Sequence, residues 1–306
     1  MDKVLERAKK FAEDFKRCGY SNNYQDILSQ DLDVVHICTP HYLHKTQVIQ
    51  ALKAGINVLT EKPLAITLDD ADKMIEVANK SDKKFGVIFQ NRYIEGIIEA
   101  KKVINERKLG KIKGAWSLLT WWRPPSYYDL DWKGSWEKEG GGVLIDQAIH
   151  SIDLVQYLIG EPVKWIEGDI YNRVLKKVEV EDVADAAICF ENDSIYSLFA
   201  TNYYTHNAPI KIEITGEKGK INIVGFDVEI EVNGKSYEVE PAPATDVQFP
   251  GQGYWGPYHM KEILQFYDSV INDKPVDING QEGRKALEIV LGIYKSSREG
   301  KKIYVR

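Results

Sequence analysis

The 306-residue sequence has no long apolar run, no excess of basic residues and only three cysteines. No apolar stretch approaches the roughly 20 residues that a helix needs to span a bilayer. The first residues read as a charged amphipathic helix rather than as a signal peptide. A formal net charge of -6 argues against nucleic acid and anionic membrane surfaces as partners. We therefore expect a cytoplasmic protein whose partners are small molecules or other proteins.

The cysteines are too few and too scattered for a disulfide framework. Cys18, Cys38 and Cys189 are an odd number, show no CxxC spacing, and two of them lie inside short apolar runs. We interpret all three as reduced and structural.

A metal site deserves consideration only in the segment HICTPHYLH, which holds three histidines and a cysteine. If DVVHIC is a strand, His36 and Cys38 share one face of it, whereas His41 and His44 follow its end. Four convergent ligands are therefore not favoured, and we predict no metal.

A glycine-rich dinucleotide fingerprint after a buried strand is also missing. The one GxGxxG pattern, formed by Gly251, Gly253 and Gly256, follows the residues DVQFP, which do not read as a strand. We interpret it as a loop that leads to a helix opened by Pro257.

What the sequence does contain divides at about residue 95. Up to about residue 92, helical segments alternate with short runs that are apolar on both faces, as parallel strands covered by helices require. This pattern predicts half of a doubly wound α/β sheet, and we assign residues 1–95 to a partial dinucleotide-binding domain of Rossmann type.

The remaining residues, 96–306, have a different texture. Longer alternating segments are separated by the turn sequences ENDS, GEKGK and VNGK, which predicts a large, mostly antiparallel sheet. Flanking helices are predicted at about 143–158, 258–272 and 282–300. The fold class is thus α/β followed by α+β, and we assign this second domain to substrate binding and oligomerisation.

Polar residues follow two consecutive strands of the predicted parallel sheet. Thr39, Pro40 and His41 come after DVVHIC, and Glu61 and Lys62 come after NVLT. The carboxyl ends of parallel strands line one crevice, which is where ligands bind in open α/β sheets. An ammonium there suits donation to a substrate oxygen, although a solvated turn is an equally good interpretation of the residues alone.

A third group lies on the predicted helix after Gly140, Gly141 and Gly142. Residues four apart are neighbours on one helix face, so Asp146 and His150 should lie together, with Asp153 close to the same face. A carboxylate beside an imidazole suits a general base. The alternative is an acid at a helix N-terminus and a histidine in the core.

The segment 121–139 carries four tryptophans, two tyrosines and Arg123 among many charged and turn residues. Aromatic residues at this density usually belong to a core or an interface. Mixed with polar groups, they also suit a wall that contacts the apolar faces of a sugar.

Taken in order, these motifs resemble the Gfo/Idh/MocA oxidoreductases. The resemblance runs through DVVHICTPHYLH, NVLTEKPLAIT, FQNRY, GGGVLIDQAIHSIDL, GEKGKI and EGRKALE, and covers essentially the whole chain. It implies an enzyme that transfers hydride between NAD or NADP and a secondary alcohol of a sugar, inositol or nucleotide sugar. The segment YYDLDWKGSWEKEGGGVLIDQAIH also resembles, more weakly, the branch acting on UDP-N-acetyl-hexosaminuronic acids.

The resemblance implies roles for individual residues. Lys62 would lie at the reacting carbinol, before a cis peptide bond to Pro63, while Asp146 and His150 would be the acid and the general base. Where the family often has Asn after the TP pair, this chain has His41. The implied cofactor-binding residues are Asp2, Thr39, Pro40, His41, His44, Glu61, Lys62 and Gln90, and the implied substrate-binding residues are Arg92, Trp122, Arg123, Tyr128 and Gln147.

The resemblance also implies that the chain begins late. The helix DKVLERAKKFAEDF matches the one that follows the second strand of the family's sheet, with Asp2 in the position of the acid that reads the adenosine ribose. We therefore expect the first two strands and the glycine-rich loop to be missing, DVVHIC to be an exposed apolar edge, and NAD or NADP to bind poorly.

Two further expectations follow from the family. Its members commonly associate through the open face of the second sheet, so we expect a homodimer or homotetramer. Given the missing loop, the alternative to an active enzyme is a non-catalytic carbohydrate-binding or oligomeric scaffold protein derived from such an enzyme.

Overall fold

The structure, a computed structural model, describes residues 1–13, 18–240 and 256–305. Its first part alternates helices with three short strands. These elements are α1 (Leu5–Glu13), α2 (Tyr24–Leu28), β1 (Val34–Ile37), α3 (His44–Lys53), β2 (Asn57–Thr60), α4 (Leu68–Asn79) and β3 (Phe85–Val87).

The three strands form a parallel sheet in the order β1-β2-β3. All three strands run in one direction, so the loops that follow them leave from the same edge. β1 is an outer strand of this sheet, as predicted, but its apolar residues Val35 and Ile37 are buried and His36 is the exposed one.

The second part is dominated by a nine-stranded sheet in the order β11-β10-β9-β8-β4-β7-β6-β5-β12. Its neighbouring strands are antiparallel except for β4 and β7, which pair in parallel with Gly114 opposite Ile195. The strands are β4 (Ile112–Thr120), β5 (Val163–Tyr171), β6 (Val183–Phe190), β7 (Ile195–Thr201), β8 (Lys211–Gly216), β9 (Gly219–Val224), β10 (Asp227–Val232), β11 (Lys235–Glu238) and β12 (Ile303–Tyr304).

The turn between β10 and β11 illustrates how the sequence determines the hairpins. Asn233 and Gly234 both have positive φ angles, 51° and 76°. A two-residue turn with both residues in this region matches the twist of antiparallel strands and favours Asn-Gly. The hairpin predicted from VNGK is confirmed.

Four longer helices complete the fold: α5 (Glu95–Asn105), α6 (Ile149–Ile159), α7 (Pro257–Ile271) and α8 (Gly280–Glu299). α8 connects the two sheets, because Gly283 lies against Val87 of the parallel sheet and Gly292 lies against Ile166 of the large sheet. A side chain at either glycine would overlap these neighbours. α7 packs on the parallel sheet through the fully buried Phe266.

The predicted fold class is therefore confirmed: a parallel three-stranded sheet is followed by a large, mostly antiparallel sheet with flanking helices. The division of the chain at residue 95 stays a prediction. The glycines Gly251 and Gly253 lie outside the described residues, and Gly256 directly precedes α7. In the described parts of the chain, no helix has the length and apolar character to cross a membrane.

The prediction for the cysteines is only partly confirmed. All three are free, but only Cys189 is buried, whereas Cys18 and Cys38 are exposed. Cys38 directly follows β1 and lies on the same exposed face as His36. Among the three cysteines, burial therefore supports a structural role only for Cys189.

Candidate active site

The loops after β1 and β2 are joined by a buried histidine. The ring of His44 lies 2.8 Å from the carbonyl oxygen of Thr39 through Nε2 and 2.8 Å from that of Pro63 through Nδ1. Thr39 also donates from its hydroxyl to Gln47 at 2.6 Å. The predicted cis bond between Lys62 and Pro63 is present. His44 therefore supports the two strand-end loops and has no ring nitrogen left for a cofactor.

Lys62 extends from this edge to Asp146 of the second part of the chain. Its ammonium donates to the backbone oxygen of Asp146 at 2.6 Å and to the carboxylate Oδ1 at 3.2 Å. Because a lysine ammonium carries three N–H groups, one donor of Lys62 remains available at this point. The side chain is partly exposed, so a ligand can reach it.

The other carboxylate oxygen of Asp146 is crowded with donors. Oδ2 accepts from the Tyr127 hydroxyl at 2.5 Å, from the Lys133 ammonium at 2.5 Å and from the Gln147 amide at 2.7 Å. Burial alone would raise the pKa of Asp146, but Lys62 and Lys133 hold it well below its usual range. Asp146 is therefore a permanent carboxylate at neutral pH, and the acid role implied by the resemblance does not fit its surroundings.

The helix that carries these residues begins with an irregular turn. Residues Leu144–Ala148 form a π-helical turn, and only then does α6 begin. The wider turn changes which side chains share a face. Asp146 points to Lys62, whereas Asp153 binds Arg92, at 2.6 and 2.9 Å. The expectation that Asp153 lies close to the face of Asp146 is therefore wrong.

His150 lies on the first turn of α6, where it packs edge-on against Phe89 with ring centroids 6.2 Å apart. Burial, together with Lys62 and His259, lowers the pKa of His150 to about 3. The imidazole is thus neutral at physiological pH. Its Nδ1 is buried and has no hydrogen-bond partner among the described residues, so proton exchange falls to Nε2.

A second buried acid fixes the backbone ahead of this helix. Glu181, which directly precedes the β6 segment, accepts from the amides of Gly142 and Leu144 at 2.8 and 3.0 Å, and from the Tyr294 hydroxyl at 2.8 Å. The glycines allow the close approach, because a Cβ at Gly142 would lie 1.9 Å from the carbonyl oxygen of Glu181. Burial raises the pKa of Glu181 to about 7.

Arg92, predicted to bind substrate, lies in a buried ion cluster. Its guanidinium donates twice to Asp153 and once, at 2.9 Å, to Glu282 of α8. The side chain is 5% exposed and stacks on Tyr157, with 4.4 Å from the guanidinium carbon to the ring centroid. Three of the five N–H groups are engaged in this buried cluster, and the contact of Arg92 with substrate stays a prediction that these surroundings do not support.

Two of the predicted cofactor residues also have other partners. His41 is buried and its Nδ1 lies 2.7 Å from the backbone oxygen of Glu139, which ties it to the second part of the chain. Asp2 accepts from the amide of Val4 at 2.8 Å, at the start of α1. His41 nevertheless lies near the site, because the charges of Asp146 and Lys62 both act on its pKa, which burial lowers to about 3.

The predicted substrate wall divides into two parts. Gln147 lies in the cluster around Asp146, and its Oε1 is buried without a described partner. The guanidinium of Arg123 lies 5.2 Å from the ring centroid of Tyr127, and Tyr128 accepts from Asn202 at 2.7 Å. Trp122 is 49% exposed. Through Tyr127, Arg123 is joined to the Asp146 cluster, whereas Trp122 lies at its open side.

Three residues of the site escaped the sequence analysis. Tyr127 and Lys133 lie in the aromatic stretch, which signalled a wall but not which polar groups turn inward. His259 of α7 lies 4.0 Å from Glu61, and the nearby charge of Lys62 adds to the burial that lowers its pKa. Only the helical periodicity of the apolar residues in α7 could have indicated that His259 lies on the face that packs inward.

The residues at the strand ends fit the nicotinamide half of a dinucleotide. Thr60 Oγ1 at the end of β2 and Gln90 Oε1 after β3 are buried and have no hydrogen-bond partner in the described structure. Such acceptors suit a ligand that brings amide donors, as a carboxamide does. By contrast, none of the three described parallel strands is followed by a glycine-rich turn that would hold a pyrophosphate.

No group of three or more His, Cys, Asp or Glu side chains in the described residues is arranged to hold a metal ion.

Comparison with known proteins agrees with this arrangement. The family profile described as oxidoreductase family, NAD-binding Rossmann fold, matches residues 1–89, and the GFO/IDH/MocA C-terminal domain matches residues 97–222. A 2,7-anhydro-N-acetylneuraminate hydratase from Mediterraneibacter gnavus is 25% identical, over 94% of this chain and 84% of the relative. Levoglucosan dehydrogenase from Pseudarthrobacter phenanthrenivorans is 31% identical, over 69% of this chain and 61% of the relative.

Solved structures extend the likeness to three dimensions. The WlbA dehydrogenase from Bordetella pertussis, in complex with NADH and UDP-GlcNAcA, is 27% identical and has a TM-score of 0.85, covering 100% of this chain and 89% of that one. With both profiles matched in order and the fold shared along the whole chain, this protein belongs to the Gfo/Idh/MocA family of NAD-binding oxidoreductases.

Proposed function

We propose that this protein is an NAD(P)-dependent dehydrogenase that acts on a secondary alcohol of a sugar, a polyol or a nucleotide sugar. The observation that carries the proposal is that Lys62, after the end of β2, has one N–H without a partner among the described residues and lies near the neutral His150 of α6, whose pKa its charge lowers. Both are held beside a carboxylate that stays ionised. The substrates named for relatives, levoglucosan and UDP-GlcNAcA, support the substrate class.

In this proposal the substrate hydroxyl lies between Lys62 and His150. His150 accepts the hydroxyl proton at Nε2, where the neutral imidazole has a lone pair available. Lys62 donates its remaining N–H to the same oxygen and stabilises the negative charge that develops there. Asp146 fixes the position of Lys62 through its backbone oxygen and Oδ1.

The bound nicotinamide supplies the hydride acceptor for this chemistry. Thr60 and Gln90 would hold its carboxamide side, and Thr39, Pro40 and Glu61 would line the same edge. Burial raises the pKa of the partly exposed Glu61, and the neighbouring Lys62 opposes that shift. Arg123 and Gln147 would contact the sugar, with Trp122 and Tyr128 forming the outer wall.

The test is oxidation of a panel of inositols, hexoses and UDP-sugars, followed by the absorbance of reduced nicotinamide. We expect turnover with at least one member, and a loss of about 10²- to 10⁴-fold in His150→Asn. His206→Asn, which changes an exposed histidine, is the matched control and should keep the wild-type rate.

The same panel separates the proposal from its rivals. A wild-type protein that binds a sugar in calorimetry but reduces no nicotinamide would support the carbohydrate-binding scaffold instead. One relative is named a hydratase. Loss or gain of water in the sugar, detected by mass spectrometry without net change in the nicotinamide, would therefore indicate that activity and would contradict the proposal.

We also propose that the protein forms a homodimer or homotetramer through the open face of the nine-stranded sheet. Trp116 and Phe199 lie on the neighbouring strands β4 and β7 of this face, and each is 39% exposed. Exposed aromatic residues on one sheet face are typical of an interface. Light scattering should give a multiple of the chain mass, and Trp116→Glu with Phe199→Glu should give the monomer.

A further inference from the structure

Lys133 is the most deeply engaged cation of the site, yet neither a motif nor the proposed mechanism uses it. It lies in the turn between Trp132 and Gly134, and its side chain is 7% exposed. Its ammonium donates to Asp146 Oδ2 at 2.5 Å, to Glu139 Oε1 at 2.8 Å and to the Tyr127 hydroxyl at 3.1 Å. A lysine has three N–H groups. All three are used, so Lys133 has none to offer a substrate.

Lys62, the other lysine on Asp146, is placed differently. One N–H of Lys62 donates to Asp146 Oδ1 at 3.2 Å and a second donates to the backbone oxygen of Asp146. The third has no partner among the described residues. The two ammonium groups thus occupy opposite oxygens of one carboxylate. While Lys133 holds Oδ2, the carboxylate cannot rotate to present that oxygen to Lys62.

The electrostatic balance points the same way. Burial alone would lower the pKa of Lys133, but Asp146 and Glu139 outweigh it and raise the value, so the ammonium stays charged. Glu139, buried and next to Asp146, has a pKa raised to about 7. A cation held against Asp146 by a second acid reduces the attraction that Asp146 exerts on Lys62.

We propose that Lys133 is a positioning residue: it holds the Asp146 carboxylate by Oδ2 and shares its charge, so that Lys62 remains loosely bound and free to donate to the substrate oxygen. This inference rests on the proposed function, because it assigns Lys62 to the substrate. It adds a residue that touches neither substrate nor cofactor.

The decisive measurement does not require turnover. Lys62 is acylated with a sulfo-N-hydroxysuccinimide acetate reagent, and its labelling rate is followed by peptide mass spectrometry in wild type, Lys133→Met and Lys133→Gln. Without Lys133, Oδ2 of Asp146 loses one of its donors and the carboxylate can bind the Lys62 ammonium more closely, so the amine is less available to the reagent. We expect labelling of Lys62 to slow by about tenfold.

Lys138→Met is the matched control, since Lys138 lies in the same segment but donates to the backbone oxygen of Asp131 at 3.0 Å. It should leave the labelling of Lys62 unchanged. Lys133→Gln keeps polar contacts with both acids, so it provides the answer if Lys133→Met does not fold. Equal labelling rates in a folded Lys133 variant and in wild type would overturn the inference.

Turnover adds a second, separate readout. With the sugar found in the panel, Lys133→Gln should lower kcat more than it raises KM, and Lys133→Arg should restore part of kcat because it returns the charge. A labelling change in a protein that oxidises no sugar would support the positioning of Lys62 and contradict only the proposed function. A rise in KM with kcat unchanged would contradict the positioning role.

Discussion

Two buried ion clusters lie seven residues apart on one helical segment, and they differ in what they leave unsatisfied. Around Asp153, the guanidinium of Arg92 gives every nitrogen to Asp153 and Glu282. Around Asp146, Lys62 keeps one N–H free, and Gln147 Oε1 nearby is buried without a described partner.

This difference separates structure from chemistry better than burial or charge does. Both clusters are buried, and both pair acids with bases, as the cost of burying charge demands. The Arg92 cluster is nearly closed to solvent and both oxygens of Asp153 are bound, so a structural role suits it. A cluster with an open donor and unpartnered acceptors is ready for a ligand that completes it.

The largest effect is expected at the open donor. Lys62→Met should reduce turnover of the sugar identified in the panel by about 10³-fold, because it removes the group that stabilises the developing oxyanion. The melting temperature should change little, because Lys133, Tyr127 and Gln147 still satisfy Asp146. Steady-state rates and thermal melts check both halves. A rate within fivefold of wild type would place Lys62 outside the chemistry.

Disrupting the Arg92 cluster should lower the stability of the fold and leave the rate nearly unchanged, the opposite of what we expect for Lys62→Met. Arg92→Met leaves the buried Asp153 without its partner, while Glu282 keeps its ion pair with Lys285, and we expect this to cost about 3–5 kcal/mol of unfolding free energy. The rate per folded molecule should stay within a few fold of wild type. Urea titrations and active-site counting measure the two quantities.

Arg284 provides the control for this prediction. It pairs with Asp72 and Glu288 nearer the surface, at 2.5 and 2.9 Å, so Arg284→Met should cost no more than about 1 kcal/mol. An Arg92 variant as stable as the Arg284 variant would contradict the structural assignment.

Glu181 supports the backbone from which both acids project, and its effect should depend on pH. Its pKa of about 7 in the folded protein exceeds the ordinary value, so the folded state holds the proton more tightly than the unfolded state. That contribution to stability is present at low pH and is lost as pH rises from about 4.5 to 7. Because glutamine does not titrate, the Glu181→Gln variant does not lose stability in this way as the pH rises.

The stability of Glu181→Gln relative to wild type should therefore rise across this range, by on the order of 1–3 kcal/mol. Denaturant titrations at several pH values measure it. Glu137→Gln, an exposed change in the neighbouring segment, should show a flat difference. A flat difference in both variants would mean that folding does not raise the pKa of Glu181.

The smallest effect is expected at Tyr127. Tyr127→Phe removes one of three donors to Asp146 Oδ2 and leaves Lys133 and Gln147 in place. We expect kcat to fall by about two- to tenfold, with little change in stability. A loss as large as that of Lys62→Met would show that the hydroxyl takes part in the chemistry itself.

The parts of this arrangement that depend on local pattern were predictable. Alternation gave both sheets, the EKP segment indicated Lys62, and the glycines before Asp146 and His150 marked the catalytic segment. The contacts that separate the two clusters were not. The π-helical turn at Leu144–Ala148 has no sequence signature, and neither do the different partners of the two acids, Lys62 for Asp146 and Arg92 for Asp153.

Long-range partners were equally hidden. In the sequence, Arg92 looks like a cation at a strand end that is available to substrate. Its hydrogen bond to Glu282, 190 residues further along the chain, is visible only in the structure. Lys133 reads as one charge in a polar aromatic stretch. Its inward direction follows from the fold of the segment 121–139, which no periodicity determines.

The parallel pairing of β4 with β7 has a consequence for how this protein could diversify. Because the two strands run the same way, the segments that leave them emerge side by side: Trp121 donates its amide to the oxygen of Thr201, and Arg123 to that of Asn202, at 2.9 and 2.8 Å. Two stretches distant in sequence are thus joined by backbone hydrogen bonds. Under the proposed function, in which Trp122 and Arg123 contact the sugar, we expect a change of sugar preference to require substitutions in both stretches rather than in either alone.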